Sequence, residues 1–241
     1  MKELSKSIVR RMADPNFTRR WFVGEGLDIG GKPDPLSLYI PFFPGLASVR
    51  VWDWEDGDAQ QLAGLEPESL DFVHSSHCLE HLVDPREGLA AWFGAIKPGG
   101  FLIVTVPDED LYEQGVFPST HNRDHKWTFT MLKARSWSER SLNVLELLSN
   151  LGPAADVEKV ALLNSTFRYD LPRFDQTLTP IGECGIEFVI RKRTARELAA
   201  GGLVRETVQP SPADRRHFNQ YRADHAHMKT SAPPFEDESP L

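Results

Sequence analysis

Glu25-Gly26-Leu27-Asp28-Ile29-Gly30-Gly31 is a short apolar run that closes on an acid and a glycine pair. In a parallel sheet, a buried strand that stops at glycine lets the backbone turn sharply. It also lets a ligand approach with no Cβ in the way. An acid at that mouth can accept hydrogen bonds from the hydroxyl or ammonium groups of a ligand. The stretch therefore reads as the mouth of a nucleotide or nucleoside site. It lacks the third glycine of G-x-G-x-x-G, so hydride transfer with a dinucleotide is not the first reading.

Outward from this stretch, strands and helices alternate. Leu27-Asp28-Ile29 is the first strand, and Asp34-Pro35 has the form of an N-cap followed by proline at the first helical position. That helix is short, because Pro41 and Pro44 interrupt it. Residues 48–52 form a second strand ending at Asp53, and residues 70–74 a third. Leu79, Leu82, Leu89, Trp92, Phe93 and Ile96 mark a helical stretch with a break near Asp84-Pro85. Lys97-Pro98-Gly99-Gly100 predicts a tight turn, and residues 101–106 a buried strand closed by Pro107. Beyond it, residues 143–151 read as a helix, 157–163 and 186–190 as the last two strands, and 193–200 as a short helix.

This order implies an α/β fold with a mostly parallel sheet and right-handed crossovers. Ligands of such sheets bind beyond the carboxyl ends of the strands, at the switch point. Asp28, Asp53, Asp58, Ser75 and Asp108 fall at or near those ends.

At 241 residues the chain can bury one sizeable core. Its 40% hydrophobic and 26% charged content is that of an ordinary soluble globular protein. No apolar run reaches the length of a membrane span, and the start has no signal-peptide core. Cys78 and Cys184 suit a reducing cytoplasm. A net charge of -8 argues against a broad nucleic-acid footprint. At the N-terminus, Leu4, Ile8 and Met12 predict a helix over residues 2–12. Lys2, Lys6, Arg10 and Arg11 are read as its solvated face, in preference to a membrane-surface helix.

The ordered motifs carry a resemblance. Leu27-Asp28-Ile29-Gly30-Gly31, Gly57-Asp58-Ala59, Ser69-Leu70-Asp71-Phe72-Val73, Leu79-Glu80-His81-Leu82 and Lys97-Pro98-Gly99-Gly100-Phe101-Leu102 occur in the order found in class I methyltransferases that use S-adenosylmethionine. The chain resembles most the bacterial branch that modifies sugars, glycans and other small metabolites. The resemblance covers residues 24–108 and implies a doubly wound, Rossmann-like, mostly parallel seven-stranded sheet with helices on both faces. It further implies a methyltransferase domain over 24–193, which leaves the predicted N-terminal helical extension over 1–23 and, by its composition, a largely irregular or disordered tail over 194–241.

Carried over by residue, Asp28, Gly30 and Gly31 line the methionine end of S-adenosylmethionine. Asp53 takes the ribose hydroxyls, with Glu55 or Asp56 as substitutes. Asp58 and Ala59 face the adenine edge, and Ser75 and Ser76 border the methionine and the acceptor. Two features depart from the family pattern: the first loop reads Gly30-Gly31-Lys32-Pro33-Asp34, and only a few residues separate Asp53 from Asp58.

A hydroxyl acceptor needs a base near the transferring methyl. His125, with Asp124 nearby, is the first candidate and His121 the second; the alternative is that these residues only brace a loop. Arg123, Lys126, Trp127 and Arg168, with Arg173 and nearby aromatics, suit an anionic glycan or nucleotide-sugar acceptor. The alternative is core aromatics with a charged rim. His74, His77, Cys78, Glu80 and His81 have metal-like spacing, but the motif reads as structural and no metal is assigned. The resulting expectation is a cytoplasmic S-adenosylmethionine-dependent methyltransferase acting on a small-molecule or glycan-type acceptor, at oxygen rather than nitrogen. No nucleic acid or transmembrane segment is expected, and the oligomeric state is open. A non-catalytic cofactor-binding module and, further off, a nucleic-acid methyltransferase are the alternatives.

Overall fold

The strands form where apolar residues run nearly unbroken, as a sheet covered on both faces requires. The computed structural model describes residues 2–204 and 211–212. Helix α1 spans Leu4–Ala13, strand β1 Gly24–Ile29, β2 Leu46–Trp52 and β3 Leu70–Ser76. Helix α2 spans Pro85–Gly94 and strand β4 Ile96–Pro107. Short strands β5, Thr128–Thr130, and β6, Ser141–Asn143, follow. Then come α3, Val144–Ser149, β7, Ala155–Leu163, β8, Gly185–Lys192, and α4, Ala195–Ala200. Residues Met1–Gly202 form one compact unit, and most of the expected tail lies outside the described residues.

The main sheet runs β2-β1-β3-β4-β8-β7. Strand β1 is parallel to β2 and β3, and β3 is parallel to β4. Strand β8 is antiparallel to both β4 and β7. The sheet thus has six strands where seven were expected, with β5 and β6 as a separate parallel pair. The shortfall lies between β2 and β3. After Asp53 the chain makes one 3₁₀ turn, Trp54–Asp56, and reaches Leu70 without another strand. This leaves β2 as an edge strand, on which Ser48 and Arg50 are exposed, a common way to blunt an edge.

Side chains alternate between the two faces of the sheet. Phe72, Phe101, Ile103 and Val189 join one core with Leu4, Phe17, Trp21, Phe22 and Leu36. Val73, Leu102, Val104, Phe188 and Ile190 join the other with Leu89, Trp92, Phe93, Val144 and Leu147. Residues of the expected N-terminal extension are therefore core residues. Gly26 lies against Phe72: an added Cβ would sit 2.0 Å from that ring.

Two local expectations change, at Asp34 and at residues 97–100, and the expected break near Asp84-Pro85 is present. Asp34 does not cap a helix by its side chain; its carboxylate accepts from the Tyr39 hydroxyl at 2.6 Å and the Ser5 N–H at 2.7 Å. The segment behind it winds as a 3₁₀ helix, Leu36–Phe42, with Pro41 inside. The helical stretch from Leu79 is divided into a 3₁₀ turn, Leu79–His81, and α2. The division falls at Asp84, which caps α2 by accepting from the Arg86 N–H at 2.8 Å, with Pro85 opening the helix. Residues 97–100 belong to β4, with Gly99 at φ +90° absorbing the turn.

The largest correction concerns α1. Val9 is 74% exposed and Met12 41%, whereas Arg11 is fully buried. The packed face is Leu4, Ser7 and Arg11. Arg11 is inside because the sheet face beneath it carries one polar residue on each of four strands: Asp28, His74, Thr105 and Glu187. Its Nε donates to Glu187 Oε2 at 3.0 Å, and its Nη2 donates to Thr105 Oγ1 at 3.2 Å. Its Nη1 lies 2.9 Å from His74 Nε2. A guanidinium can only donate, so His74 Nε2 accepts and the ring proton sits on Nδ1, 2.6 Å from Asp28 Oδ1. Burial, first of all, keeps His74 below its ordinary pKa and hence neutral.

Glu187 also pairs with Arg10 at 2.9 Å and Lys159 at 3.0 Å. Burial alone would raise its carboxyl, but the Arg11 and Arg10 charges outweigh that and hold it far below the ordinary 4.5. Glu187→Gln should lower the unfolding free energy by about 3–5 kcal/mol, because it leaves buried cations without their counter-charge. A carboxylate with a depressed folded-state pKa stabilises fully above its unfolded pKa and loses that contribution as pH falls towards the folded one. Chemical denaturation should therefore show wild-type stability falling below about pH 4.5, with a flatter profile for Glu187→Gln.

Candidate active site

A cleft of about 690 Å³ opens at the carboxyl ends of β1, β2 and β3. This is the switch point of the sheet, since β1 leads to β2 on one side and has β3 on the other. Its size is that of a cofactor site. Gly30 forms the floor; its φ is +70°, and an added Cβ would meet Cys78 Cβ at 2.8 Å. The next residue is tighter still, because a Cβ on Gly31 would lie 2.3 Å from Asp28 Oδ2. Lys32 follows, donating its N–H to Asp53 Oδ2 at 3.1 Å and pairing through its ammonium with Glu55.

Asp53 stands at the end of β2 and lines the cleft. Its Oδ1 accepts from the Trp54 N–H at 2.9 Å, within a reciprocal cap with Asp56. Each carboxylate oxygen keeps acceptor capacity after one backbone N–H, which fits the hydroxyls of a ribose. Asp58 and Ala59 also line the cleft, beside Gln60, Trp52 and the 89% exposed Trp54.

The remaining cofactor candidates are placed differently. Asp28 does not line this cleft. Its Oδ1 faces His74, and its Oδ2 accepts from the Leu36 N–H at 2.7 Å, so it shapes the glycine loop from below. Ser75 is fully buried and donates to the Ile29 carbonyl at 3.0 Å. Ser76 and Gly31 line a smaller adjoining crevice.

On the far wall, His77, His81, Asp124, Lys126 and His125 face the cleft. Asp124, expected beside His125, instead lies 2.9 Å from His81 Nδ1. The carboxylate behind His125 is Glu113, 2.7 Å from its Nδ1. No sequence pattern marks Glu113, which sits in a short π-helical turn, Glu109–Glu113, just after β4. Glu80 is fully buried between these rings. Burial would raise its pKa, but His77 and the other histidines outweigh that and bring it down to about 2. Burial pushes the Cys78 thiol up to about 12, so it is no nucleophile.

His121 is half-buried beside Tyr112 and does not line the cleft. Ser119 and Asn122 brace the loop by accepting from the Asn122 and Asp124 N–H groups.

The proposed anionic clamp is not assembled. Arg123 and Arg168 are exposed and away from the cleft. Trp127 Nε1 donates to the Leu82 carbonyl at 3.2 Å. Arg173 is spent on the Glu113 carbonyl and the Thr120 hydroxyl. Only Lys126 of the four reaches the cleft, and its ammonium donates to the His81 carbonyl.

Against known proteins, a family described as a methyltransferase domain matches residues 45–104, from β2 into β4. Residues 45–104 thus match the methyltransferase-domain family, and the chain has the Rossmann-like fold of a class I methyltransferase. A methyltransferase domain implies S-adenosylmethionine as the cofactor, and the Asp53 carboxylate at the end of β2 keeps acceptor capacity for a ribose. The ubiquinone biosynthesis O-methyltransferase of Cupriavidus pinatubonensis is 30% identical over 86 residues, or 36% of this chain. Its counterpart in Saccharophagus degradans is 31% identical over 84 residues, or 35% of this chain. The matches span about a third of those relatives, 33% and 34%. A candidate methyltransferase of Bacillus halodurans shares the fold, with a TM-score of 0.50 at 14% identity over 78% of this chain and 99% of that one. Among the described residues, no helix is long and apolar enough to cross a membrane.

The glycine loop gives a direct test. Because Asp28 is pinned by His74 and Leu36, Gly31→Ala cannot be accommodated by a simple side-chain shift. It should cost about 1–3 kcal/mol, seen as a lower midpoint in chemical denaturation.

Proposed function

We propose that this chain transfers a methyl group from S-adenosylmethionine to a hydroxyl oxygen of a small-molecule or glycan-type acceptor. The observation that carries the reading is the pair His81 and His125 on the cleft wall. The Nδ1 of each is held by a carboxylate, Asp124 and Glu113 respectively. A carboxylate at Nδ1 fixes the tautomer and leaves Nε2 electron-rich. Such a pair has little use in a module that only binds a cofactor. It suits removal of a proton from an acceptor, which a hydroxyl requires.

Bound S-adenosylmethionine supplies a sulfonium-borne methyl, whose sulfur keeps the C–S electron pair when the acceptor oxygen takes the carbon. Asp53 would hold the ribose, Asp58 and Ala59 the adenine edge, and Gly30 would allow close approach of the methionine end. The acceptor hydroxyl is placed against the His81–His125 wall and loses its proton there. Asp53, Asp58 and Asp124 around the mouth disfavour a polyanion, which argues against nucleic acid and against a strongly anionic acceptor. The O-methyltransferase names of the two relatives support oxygen as the methylated atom. The bacterial small-metabolite branch, the cytoplasmic location and the 24–193 domain limits are kept as part of this proposal.

Calorimetry should detect S-adenosylhomocysteine binding to the folded chain, and Asp53→Asn should weaken it by about 10- to 100-fold, the value of a hydrogen bond to a charged acceptor. His125→Ala should lower turnover by about 10²–10⁴-fold while leaving S-adenosylhomocysteine affinity in place. Radiolabelled methyl transfer to fractionated cell extract would report turnover. Unchanged turnover in His125→Ala, or no binding in a folded sample, overturns the reading.

A further inference from the structure

Among the described residues, six buried side-chain atoms lack a hydrogen-bond partner: His77 Nδ1, both oxygens of Glu80, the Tyr112 hydroxyl, Glu113 Oε2 and His121 Nε2. All of them fall in one place, around Glu80 behind the cleft wall. Buried polar groups are nearly always satisfied, so a concentration of orphans asks for a ligand or a chemical role. A fully buried carboxylate with neither oxygen bonded is the costliest of these.

The geometry points to a divalent metal ion of the zinc class, held by Glu80, His81 and His125, with His77 beside them. One ligand atom from each of the first three lies within 4.8 Å of the others. Glu80 Oε1 is 3.8 Å from His125 Nε2 and 3.9 Å from His81 Nε2. Those separations are too long for hydrogen bonds. They are close to the edge of a coordination polyhedron, since bonds of about 2.0–2.1 Å put tetrahedral ligand atoms roughly 3.4 Å apart. His77 Nδ1 is 3.4 Å from the same oxygen.

Three further features fit a built site. The outer nitrogens of both histidines rest on carboxylates, the arrangement that orients a metal-bound imidazole. Those contacts are His125 Nδ1 to Glu113 at 2.7 Å and His81 Nδ1 to Asp124 at 2.9 Å. The two ligand-bearing segments are joined through their main chains: the Lys126 N–H donates to the Glu80 carbonyl at 2.9 Å. His77 itself sits at φ +55° directly after β3, a conformation disfavoured for a side chain with a Cβ and kept where the surroundings impose it. Two imidazoles and one carboxylate favour a transition ion over magnesium, which prefers oxygen ligands and water.

The site stands on its own geometry; what the ion does there rests on the proposed function. With the ion bound, the Nε2 lone pairs of His81 and His125 are on the metal, so the two act as ligands and the ion takes over from the imidazoles the task of activating the hydroxyl. An acceptor hydroxyl at an open position is then acidified by coordination, its proton passing to water in the cleft.

The test is zinc binding to chelator-stripped full chain, followed by calorimetry and by metal content per chain, with S-adenosylhomocysteine binding measured alongside as a check of folding. One zinc per chain is expected. The His81→Ala/His125→Ala double variant should lose it, and Glu113→Gln and Asp124→Asn should weaken it by about 10- to 100-fold. Asp124 is exposed, so Asp124→Asn carries the test if the double variant does not fold. No zinc uptake by the wild type overturns the proposal, as does equal zinc affinity in the double variant or in Asp124→Asn. Zinc bound without S-adenosylhomocysteine would keep the metal site and remove the proposed function; the converse would do the reverse.

Discussion

One buried guanidinium organises this molecule. Arg11 enters from α1 and meets Glu187, Thr105 and His74 on three strands, and through His74 it reaches Asp28 on a fourth. Each member limits the others: Arg11 fixes the His74 tautomer, His74 orients Asp28, and Asp28 holds the Leu36 N–H and stands under Gly31. A buried charge without its partners is far more costly than one never buried. The helix, the sheet face and the glycine loop are therefore tied into one arrangement. The N-terminal segment is part of the machinery that shapes the cleft.

The second constraint is an omission. With no strand and only the single 3₁₀ turn Trp54–Asp56 between Asp53 and Leu70, the cleft is walled on the β2 side by turns alone. Trp52, Trp54 and Gln60 supply that wall. The Trp52 indole donates to the Gly57 carbonyl at 3.1 Å, and Gln60 donates to Glu87 on α2 at 2.6 Å. Side-chain bonds thus hold a segment that regular elements would otherwise frame. Asp53 still reaches its place because the capping box with Asp56 sets the turn immediately after β2.

What could be read from the sequence was whatever travels in contiguous motifs. The glycine pair, the strand-end acids and the Asp84-Pro85 helix start are local, and their physics is local too. The course of β1, β3 and β4 followed from unbroken apolar runs. Contacts between distant residues were not legible. Arg11 looked like a surface arginine because helical spacing cannot reveal the four polar residues waiting on separate strands. Asp124 was paired with the neighbouring His125 by sequence proximity, whereas the fold gives it to His81 and gives His125 to Glu113. Arg173 seemed free to bind an anion because its carbonyl partner lies 60 residues away. The motif around Glu80 was visible, but its lack of partners depends on burial, which no spacing rule conveys.

The loop bearing His125 is anchored through main-chain groups, the Lys126 N–H on the Glu80 carbonyl and the His125 N–H on the Asn122 carbonyl, and through inward-facing side chains, His125 on Glu113 and Asp124 on His81. Arg123, exposed at its crest, takes no part in holding that shape. The shape of the loop is therefore insulated from that position: Arg123 can be exchanged while the histidine pair, held from Glu113 and Asp124, stays where it is.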